Sequence, residues 1–587
     1  MGTISDKLMR IINTKEDIRQ ALISKGYDVP TSIPFKEYAK MISDLPCRVD
    51  SFPDIEGIVA RYSALGLTNE QMAANPVWVD KTGNGHDLQM KNFAWKEGSG
   101  ISDIYPGALV FDGVDDWAGC DNLPLLPKEK GYSIIALRNW ITRYDATQYK
   151  RPLISNLDTN DEGAFLIEYR KDENVNDVTV SYNSFTDVYI DDNNPITWQT
   201  SSSYNGQIIK KGTSKSTNKL CICKTYFGQL SNYANAAIWE IVILDHDATE
   251  EELTKIKDYF VKTYPWLFPD QAWTVTGKTN EDEDRATIAN ITGNGNDLVL
   301  SNFGFAEGSG YGLYAENYSN SRWFINNSIT ATKKSDTFNV TSINQVAVQI
   351  QYIAEPSQSP YTVPSYTIKV TGLTDGQTVN YRVSGGISYP ITQDGIYILP
   401  GFDFAGMGSW YGFQFNKVQE SCDITIEQIP EYEGYLVTDG VDDKVVSAES
   451  IAFTDTWTII TDTVFLGKVS VASGILASNI FTVYNYQGSG TIAVTMGEGG
   501  SSLRVITSSI KAFSSDGTIY DAEWNEYHVE IGTIRALERL LKIGTSSNET
   551  SYFCQLAFKF LGIYNNQILS KDDCIKAYNY LQTLKAK

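Results

Sequence analysis

The sequence predicts a mainly β protein, with two antiparallel β-sandwich domains, an inserted small β-domain and a short α-helical N-terminus. The first observation behind this prediction is composition. The 587 residues include 35 Tyr, 12 Trp and 45 Gly; aromatic residues favour strands and Gly favours turns. The second observation is an internal repeat that runs through most of the chain. The length also exceeds the roughly 250–300 residues at which a single hydrophobic core stops growing, so several domains are expected.

The N-terminal segment, residues 1–48, differs from the rest of the chain. Ser5 is placed to cap a first helix, and Thr14 to Asp17 form a capping-box-like start before Ile18, Ala21 and Leu22 at helical spacing. Pro34 is expected to open another helix. Two or three such short helices cannot bury a core alone. They are therefore expected to oligomerise or to dock onto another protein, the alternative being a cap on the next domain.

The first repeated element is nineteen residues long. Residues 82–100 read TGNGHDLQMKNFAWKEGSG and residues 292–310 read TGNGNDLVLSNFGFAEGSG, with 12 of the 19 positions identical and no gap. Asn-Gly pairs tolerate positive φ, so each TGNG segment predicts a tight hairpin turn. A phosphate-binding loop is not expected, because no Lys-Ser or Lys-Thr pair follows.

Two further elements recur in the same order. The motif DGVDD occupies residues 112–116 and returns at residues 439–443. Each copy then ends in a strand followed by a capped helix. In the first copy the strand Ile238–Leu244 precedes Thr249, and in the second the strand Ala557–Tyr564 precedes Ser570. The chain is therefore expected to hold two related domains.

The two copies differ in one spacing. The first and second elements are 15 residues apart from Glu97 to Asp112, but 132 apart from Glu307 to Asp439. Strand-like runs and turn signals fill the extra stretch, and an unstructured loop of that length would be unusual. The expected organisation is therefore a helical attachment segment at 1–48, a sandwich at 49–270, a second sandwich at 271–310 with 431–587, and a β-domain inserted at 311–430.

Together, the TGNGxD element, the FDGVDD motif and the terminal strand plus helix resemble the laminin-G-like or concanavalin A-like jelly-roll superfamily. The resemblance covers residues 55–266, and residues 271–310 joined to 431–587. The second copy departs from the pattern, because Thr438 stands in the place of Phe111 and Asn290 in that of Asp80. These departures weigh against a ligand or ion role shared by both copies.

Residues 7–21 and 34–39 look like short modules found in tail-fibre and other structural proteins of bacteriophages. That resemblance implies a virion protein whose N-terminal helices contact other virion proteins, often as a homo-oligomer, with a trimer possible. The chain start has no apolar signal core. The product is therefore expected to be made in the cytoplasm of a host bacterium and to reach its final place in the virion.

Charge and hydropathy exclude several classes of function. The formal net charge is −23 and the sequence has no cluster of Lys and Arg, so nucleic-acid binding is not expected. No stretch approaches the roughly 20 apolar residues that span a bilayer. The seven Cys are scattered and odd in number, so no disulfide framework is predicted.

The DGVDD motif has two interpretations. Asp112, Asp115 and Asp116 are a candidate calcium site, because carboxylate oxygens are the ligands that this hard cation takes. The spacing does not match an EF-hand loop. A turn in which Asp side chains cap backbone amides is the alternative.

A sugar platform is the other candidate site. Trp95, Trp117, Trp198 and Tyr189 lie near polar loops, and aromatic faces stack on sugars, although such residues also serve as core or interface aromatics. Hydrolysis would need paired carboxylates. The nearest fragment, around Glu240, lacks such partners, and no zinc or serine-hydrolase motif is present.

The sequence therefore predicts a non-enzymatic virion protein of fibre or adhesin type, which binds a host-surface polysaccharide or receptor. A purely architectural head-fibre, decoration or tail protein is the first alternative. A glycan depolymerase and a bacterial surface protein are the others.

Overall fold

The computed structural model describes residues 19, 52–126, 132–142, 150–157, 166–172, 175–182, 187–189, 196–200, 217–227, 232–306, 308–353, 361–374, 376–384, 386–404, 410–467, 473–478, 481–485, 491–496, 502–507, 509–532, 540–545 and 553–586. The predicted N-terminal helices fall outside these residues, apart from residue 19, which is helical. None of the helices in the described ranges is both long and apolar enough to cross a membrane.

In its described residues, the first sandwich contains fourteen strands and a short helix, α1 (Asn69–Ala74). The first seven strands are β1 (Ile58–Ser63), β2 (Val77–Trp78), β3 (Leu88–Lys91), β4 (Gly100–Ile101), β5 (Leu109–Asp112), β6 (Trp117–Cys120) and β7 (Ser133–Thr142). The next seven are β8 (Lys150–Ser155), β9 (Leu166–Asp172), β10 (Val175–Tyr182), β11 (Asp187–Tyr189), β12 (Ile196–Thr200), β13 (Leu220–Ile222) and β14 (Asn235–Leu244).

These strands form two antiparallel sheets that face each other. One sheet has the order β11-β12-β7-β14-β5-β4, with β1 also paired to β14, and the other has the order β10-β9-β8-β13-β6-β3-β2. Alternate residues of β14 point to opposite faces, except at a register shift between Ile238 and Glu240. Ile238 and Ile241 enter the core between the sheets with Trp78 and Phe111, whereas Trp239 points outward.

The linker into the second copy follows α2 (Glu250–Thr263) and a 3₁₀ turn (Pro265–Leu267). The second copy begins with β15 (Gln271–Thr274), β16 (Thr287–Ile288), β17 (Leu298–Ser301) and β18 (Gly310–Leu313).

The inserted β-domain comes next, and the described part of it contributes twelve strands. The first six are β19 (Trp323–Ile325), β20 (Ile329–Lys333), β21 (Thr337–Ile343), β22 (Val348–Ile353), β23 (Tyr361–Val363) and β24 (Tyr366–Thr371). The last six are β25 (Val379–Val383), β26 (Ile387–Ile391), β27 (Gly395–Leu399), β28 (Phe402–Phe404), β29 (Trp410–Phe415) and β30 (Ile424–Ile429). Two five-stranded sheets, β19-β22-β29-β25-β26 and β20-β21-β30-β24-β27, enclose an aromatic-rich core of their own.

The second copy resumes after the insert and ends in α3 (Lys571–Thr583). Its remaining strands are β31 (Glu431–Val437), β32 (Lys444–Ser447), β33 (Trp457–Phe465), β34 (Ser473–Ala477), β35 (Phe481–Asn485) and β36 (Thr491–Met496), followed by β37 (Ser502–Ile506), β38 (Ile510–Ser514), β39 (Thr518–Asp521), β40 (Glu526–His528), β41 (Lys542–Ile543) and β42 (Leu556–Asn565). The sheets run β18-β31-β42-β33-β38-β39-β40, with β15 on β42, and β16-β17-β32-β41-β34-β35-β36-β37.

Strand order is duplicated between the two copies. The run β4-β5-β14-β7 in the first corresponds to β18-β31-β42-β33 in the second, and β1 on β14 corresponds to β15 on β42. Both terminal helices begin at the residues that the sequence indicates, because Thr249 forms a capping box with Glu252 and Ser570 accepts from the amide of Asp573. The predicted fold class, mainly β with antiparallel sandwiches and an inserted β-domain, is confirmed. The numbered domain boundaries stay a prediction.

The TGNG turn differs from its prediction. The connection from β2 to β3 spans residues 79–87 instead of two residues, and positive φ falls on Gly83 and Gly85. Asn84 instead donates its side-chain amide to the carbonyl of Val59 at 3.0 Å. The segment therefore ties a long loop to β1, which a two-residue turn would not do.

A third apolar cluster joins the two sandwiches through α2, α3 and the 3₁₀ turn. The ring of Trp239, on the outer face of β14, meets Tyr580 of α3 edge to face at 6.2 Å between centroids. Tyr564 of β42 donates to the carbonyl of Trp266 in the 3₁₀ turn at 2.9 Å. The outer faces of the two central strands are thus buried against the same helices, so the sandwiches share one interface.

A buried polar network anchors α2 to the first sandwich. Arg61 of β1 donates through Nε to Glu240 at 2.6 Å and through Nη2 to the Tyr259 hydroxyl at 2.8 Å. Tyr264 donates to the other oxygen of Glu240 at 2.8 Å. The ring of Phe52 lies 4.1 Å from the Arg61 guanidinium. Both charges are therefore paired and hydrogen-bonded, which is the condition under which buried ions persist.

We expect Arg61→Met to destabilise the chain by about 3–5 kcal/mol, because Glu240 is left charged and buried without its partner. The double variant Arg61→Met with Glu240→Met should be less destabilised, since no lone charge remains. Urea unfolding of the full chain measures both. Equal losses in the single and double variants would contradict this account of the network.

Candidate functional site

The DGVDD motif forms the turn that carries the chain from one sheet to the other. Asp112 ends β5 and Trp117 begins β6, which belong to opposite sheets. Oδ1 of Asp112 accepts from the amides of Val114 (2.8 Å), Asp115 (3.2 Å) and Asp116 (3.3 Å). In return, Oδ2 of Asp116 accepts from the amide of Asp112 at 3.1 Å. The motif is thus a capped turn.

The second copy repeats these contacts. Oδ1 of Asp439 accepts from the amides of Val441 (2.7 Å), Asp442 (3.3 Å) and Asp443 (3.4 Å), and Oδ2 of Asp443 accepts from the Asp439 amide at 2.8 Å. Gly440 has φ of 75°, and a Cβ there would lie 2.9 Å from the amide nitrogen of Gln555. A glycine is therefore needed at this point of the turn.

The first repeated element holds the turn in place. Asn92, at φ 70°, donates its side-chain amide to the Asp115 carbonyl at 2.9 Å. Asn302, at φ 72°, donates in the same way to the Asp442 carbonyl at 2.9 Å. The first two of the three recurring sequence elements are therefore in direct contact in each sandwich, which gives a physical reason why they recur together.

The three carboxylates of each turn also satisfy the distance requirement of a cation site, because one oxygen of each lies within 4.8 Å of the others. Burial raises the pKa of Asp116 to about 6, and burial likewise raises the pKa of Asp443 to about 6. The stability that each protonated carboxyl contributes is present below its ordinary pKa near 3.8 and is lost as pH rises through about 6. The calcium site at Asp112, Asp115 and Asp116 stays a prediction. The hydrogen bonds above use Oδ1 of Asp112 and Oδ2 of Asp116, whereas Oδ1 of Asp116, like that of Asp443, is buried with no hydrogen-bond partner among the described residues.

Two of the four predicted platform aromatics are packed against other side chains. The ring of Trp95 stacks on Phe93 at 4.9 Å, beside the core of the first sandwich. Trp117 meets Phe227 edge to face at 5.8 Å, and Nζ of Lys224 lies 4.0 Å from its ring centroid. One face of Trp117 is therefore already occupied by a cation.

Tyr189 and Trp198 pair across β11 and β12 at the edge of the other sheet. Their side chains lie outside the described part of the chain. The described contacts do not bring Trp95 and Trp117 together, and Trp117 lies on the sheet opposite to Trp198. A four-residue sugar platform therefore stays a prediction.

The structure places a cleft of about 480 Å³ where the two sandwiches meet. Its floor is apolar and buried, formed by Leu267, Ala272, Ile291, Tyr580 and Leu584. Its rim is polar and comes from four separate segments: Lys257 of α2, Asp270 of the linker, Thr292 and Asn294 of the second TGNG loop, and the end of β42 with the two residues that follow it, Asn565, Asn566 and Gln567. We call this feature the junction cleft.

Hydrogen bonds fix the rim of the junction cleft. Oδ2 of Asp270 accepts from the Asn565 amide at 2.6 Å, and the Asp270 carbonyl accepts from the Asn294 side chain at 2.8 Å and from the Thr292 hydroxyl at 3.1 Å. Burial raises the pKa of Asp270 above its ordinary value. The rim thus offers a partly desolvated carboxylate and amide groups around an apolar floor.

Sequence reasoning missed the junction cleft. Asp270 and Gln567 are almost 300 residues apart in the chain, and neither lies in a recognisable motif. Only the repeat gave a signal, because the second TGNG loop supplies Thr292 and Asn294. That signal indicated a turn and not a binding site.

No protein-family model and no curated protein matches the sequence. Several solved structures resemble parts of the fold. A Trypanosoma rangeli sialidase in complex with sialic acid aligns over 43% of this chain and 39% of its own, at 10% identity and a TM-score of 0.23. The receptor-binding domain of botulinum neurotoxin type G aligns over 68% of this chain and 90% of its own, at 11% identity and a TM-score of 0.20.

A structure of botulinum neurotoxin type C, which depends on two ganglioside molecules to enter cells, aligns over 65% of this chain and 100% of its own, at 11% identity and a TM-score of 0.23. TM-scores of this size assign neither a family nor a function. The jelly-roll and bacteriophage resemblances therefore stay predictions.

We expect Asp112→Ala to lower the free energy of unfolding by about 1–3 kcal/mol, because three backbone amides lose their acceptor. Asp439→Ala should have a similar effect in the second copy, and the exposed Asp455→Ala should not. Thermal unfolding with calcium and with a chelator measures these effects, and we expect the same losses in both. A calcium-dependent rise in the wild-type midpoint that Asp112→Ala removes would contradict the capped-turn interpretation and uphold the calcium prediction.

Proposed function

We propose that this chain is a non-enzymatic adhesin of a bacteriophage virion, and that the junction cleft binds a saccharide of the host surface. The observation that carries the proposal is the combination of a buried apolar floor with a rim of amide, hydroxyl and carboxylate groups. Ligand sites are typically concave and largely apolar, with a few placed polar groups that fix orientation. The cleft volume of about 480 Å³ falls in the usual range for such sites.

A sugar matches this arrangement chemically. A pyranose ring presents an apolar face of C–H groups and a girdle of hydroxyls, so the face suits the half-buried Phe268 and Pro269 while the hydroxyls suit Asp270 and Gln567. A carboxylate that accepts from a hydroxyl forms a charge-assisted hydrogen bond, which is stronger than a neutral one. The partial desolvation of Asp270 favours such a bond further.

The residues of the junction cleft suit saccharide binding better than saccharide hydrolysis. Glycoside hydrolysis usually takes two carboxylates that flank the scissile bond, and the cleft lining contains a single one, Asp270. Glu240, the residue nearest to a hydrolase pattern in the sequence, is fully buried and paired with Arg61. Its side chain is therefore committed to holding α2.

On a virion, weak binding of a saccharide by each copy is sufficient for adhesion. A particle that carries several copies of one adhesin presents several sites to a polysaccharide at once. Linked sites raise the effective concentration of each further contact, so overall avidity exceeds the affinity of one site by about 10²–10⁴. A small cleft with a handful of polar groups is compatible with this mode of adhesion.

We expect the full chain to bind a subset of an array of bacterial surface oligosaccharides. Asp270→Asn should weaken binding of the best oligosaccharide roughly ten-fold, because a charge-assisted hydrogen bond of about 1.5–3 kcal/mol is replaced by a neutral one of about 0.5–1.5 kcal/mol. Gln567→Ala should weaken it by less, and Gln345→Ala, on the exposed surface of the insert, serves as the matched control. Titration calorimetry of each folded variant measures the affinities.

Three outcomes would contradict the proposal in different ways. A folded chain that binds no oligosaccharide would favour the purely architectural alternative. Binding that Asp270→Asn and Gln567→Ala leave unchanged would move the site away from the junction cleft. Release of shorter oligosaccharides from the ligand would favour the depolymerase alternative.

A further inference from the structure

The last strand of one sheet in the insert, β27, presents an apolar and uncharged edge. Its sequence is GIYIL, and the side chains of Ile396 and Ile398 are 66% and 67% exposed. Tyr397 and Leu399 alternate with them and pack toward the core of the insert. In the described strand pairings β27 has a single neighbour, β24. Two large β-branched side chains are thus left in solvent beside an unpaired strand edge.

The other edge strands of the insert carry features that prevent pairing. β26 contains Pro390, which lacks an amide hydrogen. β20 ends in Lys333 and has a register shift against β21, and β19 is only three residues long. Proteins commonly blunt sheet edges by such means. β27 has none of them, because its five residues include no proline and no charge, and its register with β24 is continuous.

We propose that β27 pairs with β27 of a second copy of this chain, so that the two inserts form one continuous antiparallel sheet. A two-fold axis through Tyr397 places Ile396 of each copy opposite Ile398 of the other. Directly opposed residues of an antiparallel pair lie on the same face of the sheet. Both exposed isoleucines of each strand therefore find an apolar partner in this register.

Neighbouring registers are less favourable. An axis through Ile396 sets Ile398 opposite Asp394, whose carboxylate already accepts from the amides of Gly372 (2.9 Å) and Leu373 (2.8 Å). An axis through Ile398 sets Ile396 opposite Pro400, which cannot donate a backbone hydrogen bond. The strand is therefore complementary to itself about Tyr397, as an isologous two-fold interface requires.

Charge opposes a contact between copies less at the insert than at the two sandwiches, which carry most of the negative charge. Residues 311–430 contain nine acidic and six basic side chains, a net charge of −3 in a chain whose total is −23. Acidic surfaces repel each other, and the repulsion is weakest where net charge is small. The pairing of inserts is separate from any assembly through the N-terminal segment, and it does not depend on the proposed saccharide site.

Sedimentation of the full chain tests the pairing through charge reversal. We expect the wild type to have at least twice the mass of the variant I396K/I398K, because lysines oppose each other across the two-fold axis. The variant I396K/I398E should regain the wild-type mass, because the lysine introduced in each copy then faces the glutamate introduced in the other. V346K, at another exposed apolar residue of the insert, is the matched control and should keep the wild-type mass.

Equal masses for the wild type and I396K/I398K would overturn the proposal. That result would mean that the edge of β27 either stays unpaired or pairs with another protein. Failure of I396K/I398E to regain the mass that I396K/I398K loses would overturn the two-fold register. Hydrogen exchange of the wild type provides a test without variants. Amides of β27 should become better protected as protein concentration rises, and protection that is independent of concentration would overturn the proposal.

Discussion

The contact between the nineteen-residue repeated element and the DGVDD turn is the constraint on which each sandwich depends. A chain that passes from one sheet to the facing sheet within five residues must reverse tightly and still satisfy its amides. Asp112 and Asp439 meet this need by each accepting three backbone amides. Asn92 and Asn302, held at positive φ, fix the turn from outside. In both copies the same residue types hold the turn by which the chain passes between the sheets. This shared requirement explains why the repeated elements are alike while most of the intervening sequence differs.

The sequence predicted the parts of the fold that depend on local chemistry. The capped helices after β14 and β42 could be predicted because Thr249 and Ser570 are N-caps, and a cap acts within one turn of its helix. The insert could be predicted because one spacing between repeated elements was long. The shape of the TGNG loop could not be predicted from the sequence, because Asn84 donates a hydrogen bond to the carbonyl of Val59, which is distant along the chain. The junction cleft could not be predicted either, because its rim joins residues almost 300 positions apart.

The shared interface explains how a duplicated fold acquires a cleft that neither copy has alone. The outer faces of β14 and β42 carry apolar side chains such as Trp239 and Phe560, which the intervening helices bury. The same packing positions the linker at Asp270 against the second TGNG loop and the end of β42. The cleft is therefore a consequence of how the sandwiches are joined. A saccharide bound there would contact the second copy, α2 and the linker at once.

The central claim is that the repeated elements close both sandwiches by the same interaction, and a pair of double-mutant cycles tests it most directly. The side-chain amides of Asn92 and Asn302 donate to carbonyls inside the turns that Asp112 and Asp439 cap. Measuring unfolding free energies for Asn92→Gly with Asp112→Ala, and for Asn302→Gly with Asp439→Ala, gives one coupling energy per copy, and glycine tolerates the positive φ of each Asn. We predict couplings of the same sign and similar size, about 0.5–3 kcal/mol in each. A coupling in only one copy, or in neither, would contradict the claim.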